Sequence, residues 1–293
     1  MTEEPDPLSN LGLVGIGLLG QAIAARLLQA QHRVYGFDPL ESAMSAFEAQ
    51  GGQPLTDVRQ IAGTCRRIVL CLPSSDIVDE VLATMRPHLQ PGTSIIDTTT
   101  GDPAFTVEVA QQFKASSVDL MDASVLGSSD HMRAGHAVLM VGADNTSFTD
   151  CRTILQSLSP TVWHVGPPGS GQRMKLVANL VLGLNRAALA EGLHFAQSQG
   201  LDLNTVLQIL QSGATWSRVM DDKGQRMIEE QFEPQARLSQ HLKDVRLILD
   251  AAASVGTKLP LSNLHRTLLE RVEASGNGEL DNSAIIQAWQ HPD

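Results

Sequence analysis

The sequence predicts an α/β N-terminal domain, built on a doubly wound and mostly parallel sheet, followed by an all-helical domain. Three observations carry that expectation. From Leu11 to Gly166 short apolar runs alternate with helix-like stretches, the pattern of repeated βαβ units. A cluster of breakers, "GPPGSG" at 166–171, closes that region. From Gln172 onward β-branched runs all but vanish and helical periodicity takes over.

Taken in order, "LGLVGI" reads as a first buried strand and "QAIAARLLQAQ" as the helix after it. "RVYGFD", "RIVLCLP", "SIIDT", "VDLMDAS", "AVLMVG" and "VWHVG" supply the later strands, with "QPGTS" as a turn before Ile95. In the second half "SQGLDLN", "EQFEP", "VGTKLP" and "ASGNGELD" punctuate the helices. The expected organisation is a flexible tail over 1–10, a dinucleotide-binding domain over 11–166 and a helical domain over 167–293.

The chain has 293 residues, which is long for one core, so two domains are the natural division. With 42% hydrophobic and 18% charged residues the composition is that of an ordinary globular protein, which excludes fibrous and disordered classes. A net charge of −11 without any Lys/Arg cluster argues against nucleic acid and anionic membranes as partners. The start, "MTEEPDPLSN", is acidic and proline-bearing, the reverse of a secretory signal. The longest apolar run, Leu176 to Leu184, is broken by Asn179 and Gly183 and is short for a membrane span. Cys65, Cys71 and Cys151 form an odd set without CxxC spacing, so no disulfide framework is expected and a reducing, cytoplasmic location fits. The nine histidines show no metal-ligand spacing, and no metal is expected.

"GLVGIGLLGQAIA" carries Gly15-Ile16-Gly17-Leu18-Leu19-Gly20 in GxGxxG spacing, after a strand and before an amphipathic helix. The first glycine permits the tight turn, the second lets backbone approach a pyrophosphate and the third lets helix pack on strand. The helix N-terminus then offers free N–H groups to the anion, so a Rossmann-type dinucleotide site is expected. Asp38 stands 18 residues past Gly20, where a carboxylate accepts hydrogen bonds from ribose hydroxyls and repels a 2′-phosphate. Pro39 and Leu40 follow it, with no cationic clamp, so NAD is favoured and NADP is the alternative.

"GSGQRMKLVANLVLGLNRAALAEGLHFAQSQG" reads as one long helix opening just after Gly171 and joining the two domains. Lys175 and Asn179 are four residues apart and share a face near its start. A helix N-terminus disfavours a cation, and apolar neighbours Leu176, Val177 and Leu180 disfavour it further. Such a lysine is suited to carry a proton near neutral pH, with Asn179 orienting it or the substrate. From spacing alone a solvated surface lysine is an equal reading.

The sequence resembles the β-hydroxyacid dehydrogenase family, which includes 3-hydroxyisobutyrate dehydrogenases, tartronate semialdehyde reductases and glyoxylate/succinic semialdehyde reductases. The resemblance runs from Leu11 to near Ala288. It is carried by "GLVGIGLLGQAIAARLL", "LCLPSSDIVDEV", "DTTTGDP", "GPPGSGQRMKLVANL" and "HLKDVRLIL", in that order. It implies a 6-phosphogluconate dehydrogenase-like fold, with Lys175 as general acid/base and Asn179 as its substrate-binding companion. It further implies that Leu72, Pro73 and Thr100 line the nicotinamide side, that Lys243 reaches the same cleft from the second domain, and that the protein assembles as a homodimer or homotetramer through its helices.

One stretch departs from the family pattern. Where relatives carry Asp-Ala-Pro-Val-Ser-Gly-Gly, this chain reads Asp122-Ala123-Ser124-Val125-Leu126-Gly127-Ser128. The serine hydroxyl that serves the substrate carboxylate is replaced by Leu126. Val125, Leu126, Gly127 and Ser128 are the expected substrate loop, in which either backbone N–H groups, with Ser128 or Ser129, take over the carboxylate or the pocket has become more apolar. The reading is therefore an NAD(P)-dependent oxidoreductase acting on a small β-hydroxy acid or its semialdehyde. Its rivals are a non-catalytic dinucleotide-binding protein and a reductase of imines or bulkier carbonyls on the same fold.

Overall fold

The computed structural model describes residues 10–290, and the expected tail therefore lies outside the described residues except for Asn10, which opens the first strand. The chain divides into two compact units, one ending at Lys175 and the other beginning at Leu176.

The first unit is a single sheet of β1 (Asn10–Val14), β2 (Arg33–Phe37), β3 (Gln53–Pro54), β4 (Arg67–Leu70), β5 (Ser94–Asp97), β6 (Asp119–Leu126), β7 (Val138–Gly142) and β8 (Thr161–Gly166). Its order is β3-β2-β1-β4-β5-β6-β7-β8, so the strand order reverses between β1 and β4, the position where open α/β sheets bind ligands. All pairings are parallel except β6 with β7, which places Leu126 opposite Val138. The strands are joined or flanked by α1 (Leu18–Gln29), α2 (Glu41–Ala49), α3 (Val58–Thr64), α4 (Ser75–Met85), α5 (Pro103–Lys114), α6 (Ser129–Arg133) and α7 (Asn145–Leu158).

The continuous apolar runs of the sequence are explained by a core on each face. Leu11, Leu13, Val69, Ile96 and Met121 pack with Ile23 and Leu27 of α1 and Leu155 of α7. The alternate residues Val14, Ile68, Leu70, Ile95 and Leu120 pack with Ile61 of α3, Leu82 of α4 and Phe113 of α5. Each such side chain contributes roughly 1.5–3 kcal/mol on burial, so a strand apolar on both faces is held strongly in register. The edge strand β8 alternates instead and leaves Trp163 exposed.

α8 (Ser170–Ser198) begins in the first unit and continues into the second. Asp122, on β6, caps the start of this helix and ties it to the sheet unit. Its carboxylate accepts Gly169 N–H at 2.7 Å and Gln172 N–H at 2.6 Å. The approach is so close that a Cβ on Gly171 would lie 2.4 Å from Met140 O and 2.7 Å from Asp122 Oδ2. α8 also meets the length and hydropathy of a membrane-crossing segment, which the broken run at Leu176–Leu184 does not suggest. Its Leu189, Ala190, Leu193 and Ala196 are nonetheless buried within the protein.

The second unit adds α9 (Leu203–Ser212), α10 (Gln225–Ile228), α11 (Leu238–Ser254), α12 (Pro260–Val272) and α13 (Gln287–Gln290), with a π-turn at Met220–Gly224. Its core packs Leu189 and Leu193 of α8 with Leu242 and Val245 of α11, Leu269 and Val272 of α12, and Ile285. At the centre stands Asp281, fully buried, which accepts Lys223 Nζ at 2.9 and 3.0 Å, the N–H groups of Gln235, Ala236 and Ser283, and the Ser283 hydroxyl.

Candidate active site

The glycine loop has the geometry its spacing predicts. Gly15 sits at φ +89°, and a Cβ there would lie 2.2 Å from Cys71 O, so only glycine fits. A Cβ on Gly20 would lie 2.1 Å from Gly15 O, which is the close strand–helix packing expected of the third glycine. Gly17 is different: nothing lies within 4 Å of its missing Cβ. Gly17 is also the N-cap of α1, with no side chain capping the helix. Among the described residues the first N–H groups of α1 therefore have no side-chain acceptor, and open space lies at the second glycine, which fits a pyrophosphate. Ile16 N–H donates to Asp38 Oδ2 at 2.7 Å and Leu40 N–H to Asp38 Oδ1 at 2.9 Å, which fixes the carboxylate at the end of β2. Leu18 is exposed and Leu19 half-buried beside the loop.

At the ends of β4 and β5 the backbone is tied by threonines. Leu72 N–H donates to Thr99 Oγ1 at 3.1 Å, and Thr98 Oγ1 donates to Leu70 O at 2.6 Å. Pro73 is exposed and Thr100 half-buried next to these bonds. Beneath them Asp97 accepts Thr99 N–H at 2.9 Å, and burial pushes its carboxyl up to about 7, with Asp122 adding to the rise. Burial pushes the Cys71 thiol in the same layer up to about 12, which disfavours the thiolate form.

Lys175 is buried, 9% exposed, and its Nζ donates to Val125 O at 2.6 Å, at the end of β6. The expected lysine and the expected substrate loop are thus brought together within the sheet unit. Leu126 is half-buried, and Gly127 turns the chain at φ +141°. Ser128 has a structural role beside the one expected of it. It caps α6: its hydroxyl accepts His131 N–H and its own N–H donates to His131 Nδ1, both at 3.2 Å. Its hydroxyl oxygen is therefore already engaged in a capping box.

In the helical unit Asn179 Nδ2 donates to Asp244 Oδ2 at 2.9 Å, and Lys243 Nζ lies 3.2 Å from Asp244 Oδ1. One buried carboxylate thus orients both Asn179 and Lys243. Among the described residues no three His, Cys, Asp or Glu side chains are grouped to hold a metal.

Sequence reasoning assigns no role to Gln172, Asp97, Asp122 or Thr99. A carboxylate inside an apolar strand, as in "SIID" and "DLMDASVL", is the available signal for Asp97 and Asp122, because such a group must find donors.

A family model described as the NAD binding domain of 6-phosphogluconate dehydrogenase matches residues 10–166, and one described as NAD-binding of NADP-dependent 3-hydroxyisobutyrate dehydrogenase matches residues 169–289. The chain is 30% identical over 285 residues to 2-(hydroxymethyl)glutarate dehydrogenase of Eubacterium barkeri, covering 96% of this chain and 95% of that one. It is 29% identical to 2-hydroxy-3-oxopropionate reductase of Escherichia coli (strain K12), covering 96% and 97% of the two chains. Its fold is similar to that of 3-hydroxyisobutyrate dehydrogenase from Salmonella typhimurium, with a TM-score of 0.88 at 24% identity over 95% of this chain and 99% of that one.

Proposed function

Since the chain belongs to the β-hydroxyacid dehydrogenase family, we propose that it is an NAD(P)-dependent oxidoreductase interconverting a small β-hydroxy acid and its semialdehyde, with Lys175 as the proton carrier. The observation that carries the reading is the Lys175 ammonium, almost fully buried and seated 2.6 Å from Val125 O beside the substrate loop. Lysines are seldom buried without a task, and this one stands in the second turn of a helix, close to an end that disfavours a cation.

The two named relatives share one chemical feature. In 2-hydroxy-3-oxopropionate and in 2-(hydroxymethyl)glutarate the reacting carbon, an aldehyde or a primary alcohol, is β to a carboxylate. The substrate class proposed here is the same. Gly15, Gly17, Gly20 and the start of α1 would hold the pyrophosphate and Asp38 the ribose, while Leu72, Pro73 and Thr100 would border the nicotinamide. When bound, the nicotinamide supplies or accepts the hydride. Lys175 Nζ donates a proton to the carbonyl oxygen during reduction and takes the hydroxyl proton during oxidation, a role that contributes roughly 10²–10⁴ in rate. Asn179, fixed by Asp244, orients the reacting oxygen. With Leu126 in place of serine and Ser128 capping α6, the Gly127 backbone takes the substrate carboxylate.

Asp38, followed by Pro39 and Leu40, supports NAD over NADP. Retention of Lys175 and Asn179 weighs against a non-catalytic dinucleotide-binding role. The test is a panel of β-hydroxy acids and semialdehydes, 2-hydroxy-3-oxopropionate included, assayed with NADH and NADPH and with their oxidised forms. Turnover of at least one member, faster with NADH or NAD⁺, is expected. Cofactor binding without turnover of any member would refute the enzymatic reading.

A further inference from the structure

We propose that Gln172 is a positioning residue that fixes the lysine-bearing helix against the nicotinamide-side loop, and so sets the geometry in which Lys175 delivers its proton. Gln172 stands in the first turn of α8, three positions before Lys175, and is 1% exposed. Its side chain makes both kinds of bond that an amide allows. Nε2 donates to Thr99 O at 2.6 Å. Oε1 accepts Gly101 N–H at 3.0 Å and lies 3.4 Å from Ser124 Oγ. Its backbone N–H meets Asp122 at 2.6 Å.

The amide therefore grips the backbone on both sides of Thr100. The same loop is held from the opposite direction, where Leu72 N–H donates to Thr99 Oγ1 and Asp102 N–H donates to Ser75 Oγ at 2.8 Å. Thr99, Thr100 and Gly101 are thus strapped between the segment that carries Leu72 and the helix that carries Lys175. Ser124 extends the bridge to β6, one residue before the carbonyl that holds Lys175. Proline, the residue of the family pattern at 124, has no hydroxyl for this contact, so the third arm belongs to this chain. A displacement near 1 Å in such an arrangement costs on the order of 10²-fold in rate.

This inference rests on the proposed role of Lys175, and its test separates the two. Gln172→Ala removes all three side-chain contacts. Gln172→Glu keeps the acceptor facing Gly101 N–H but sets a carboxylate oxygen against Thr99 O unless it is protonated. With NADH and 2-hydroxy-3-oxopropionate, or the panel member turned over fastest, both variants should lose about 100-fold in kcat. NADH affinity should stay within about threefold of wild type, because the pyrophosphate loop is untouched. The kcat of Gln172→Glu relative to wild type should climb as pH falls and the new carboxyl takes up a proton, a rescue that a merely structural role does not produce. If Gln172→Ala fails to fold, Gln172→Glu carries the test. Wild-type kcat in the folded variants, or a loss confined to melting temperature or to NADH affinity, overturns the inference while leaving Lys175 in place. If the wild type turns over nothing, the Lys175 reading fails, and hydrogen exchange still decides on the strap. The Gly101 amide should be protected in the wild type and exposed in Gln172→Ala; equal protection in both refutes it.

Discussion

Asp122 in the sheet unit and Asp281 in the helical unit are both fully buried, yet they are accommodated by different chemistry. Asp122 meets backbone N–H groups at the start of α8 and, among the described residues, no cation, and burial leaves its carboxyl above the usual range. Asp97 nearby behaves alike, at about 7. Asp281 also suffers burial, but the Lys223 ammonium and the Ser283 donors outweigh it and hold the carboxyl at about 2. The helical unit adds a second buried cation, Arg186, whose Nε and Nη1 find no partner among the described residues and whose guanidinium burial lowers to about 10. One unit therefore solvates its buried acids with backbone dipoles, and the other neutralises them with charge. The difference has a functional side. Asp97, whose carboxyl is pushed up to about 7, adds less negative field than an ordinary carboxylate beneath a loop built to receive an anionic dinucleotide.

The sharpest way to break this comparison is Asp281→Asn. It leaves Lys223 and Arg186 in an apolar interior without their acid, and removing one partner of a buried pair costs about 3–5 kcal/mol. Chemical denaturation should register that loss, with hydrogen exchange locating it in the helical unit. Asp122→Asn should cost less, about 2 kcal/mol, since it weakens charge-assisted bonds to backbone N–H without stranding a cation. Its signature is faster exchange at Gly169 to Gln172, and equal destabilisation by the two variants would erase the distinction.

The pH response is of opposite sign in the two units. Asp97 ionises at 3.8 in the unfolded chain and at about 7 in the fold, so the sheet unit gains stability as pH falls from 7 toward 4. His265 is lowered from 6.5 to about 4 by burial and then by Arg186, so the helical unit loses stability as pH falls through that window. Asp281 extends the loss below pH 4, toward its folded value of about 2. Hydrogen exchange read for each unit between pH 7 and 4 should show protection rising in one and falling in the other. Asp97→Asn should reduce the rise, leaving the part that Asp122, also raised by burial, contributes.

How much of this was legible in the sequence follows from the range of the interactions. The Gly15, Gly17 and Gly20 spacing and the apolar runs of β4 and β5 are local, and they predict the sheet and its cofactor loop. Lys175 and Asn179 are visible as a pair because one helical turn separates them. The bond from Asp122 to Gln172 joins positions 50 residues apart, and that from Gln172 to Thr99 spans 73, so no local pattern announces either. The same reason hides the extension of the sheet unit to Lys175. That the Ser128 hydroxyl also caps α6 is hidden in the sequence because the start of so short a helix has no periodic signal. Lys223, Arg186 and Asp281 lie on three separate elements and meet only through packing.

The central claim is that Lys175 moves the proton in a hydride transfer for which the rest of the sheet unit binds the cofactor. Comparing Lys175→Ala with wild type on the active panel member, with NADH affinity measured in parallel, tests it most directly. The account predicts a loss of at least about 100-fold in kcat with NADH affinity nearly unchanged. Near-wild-type turnover by the folded variant would contradict it.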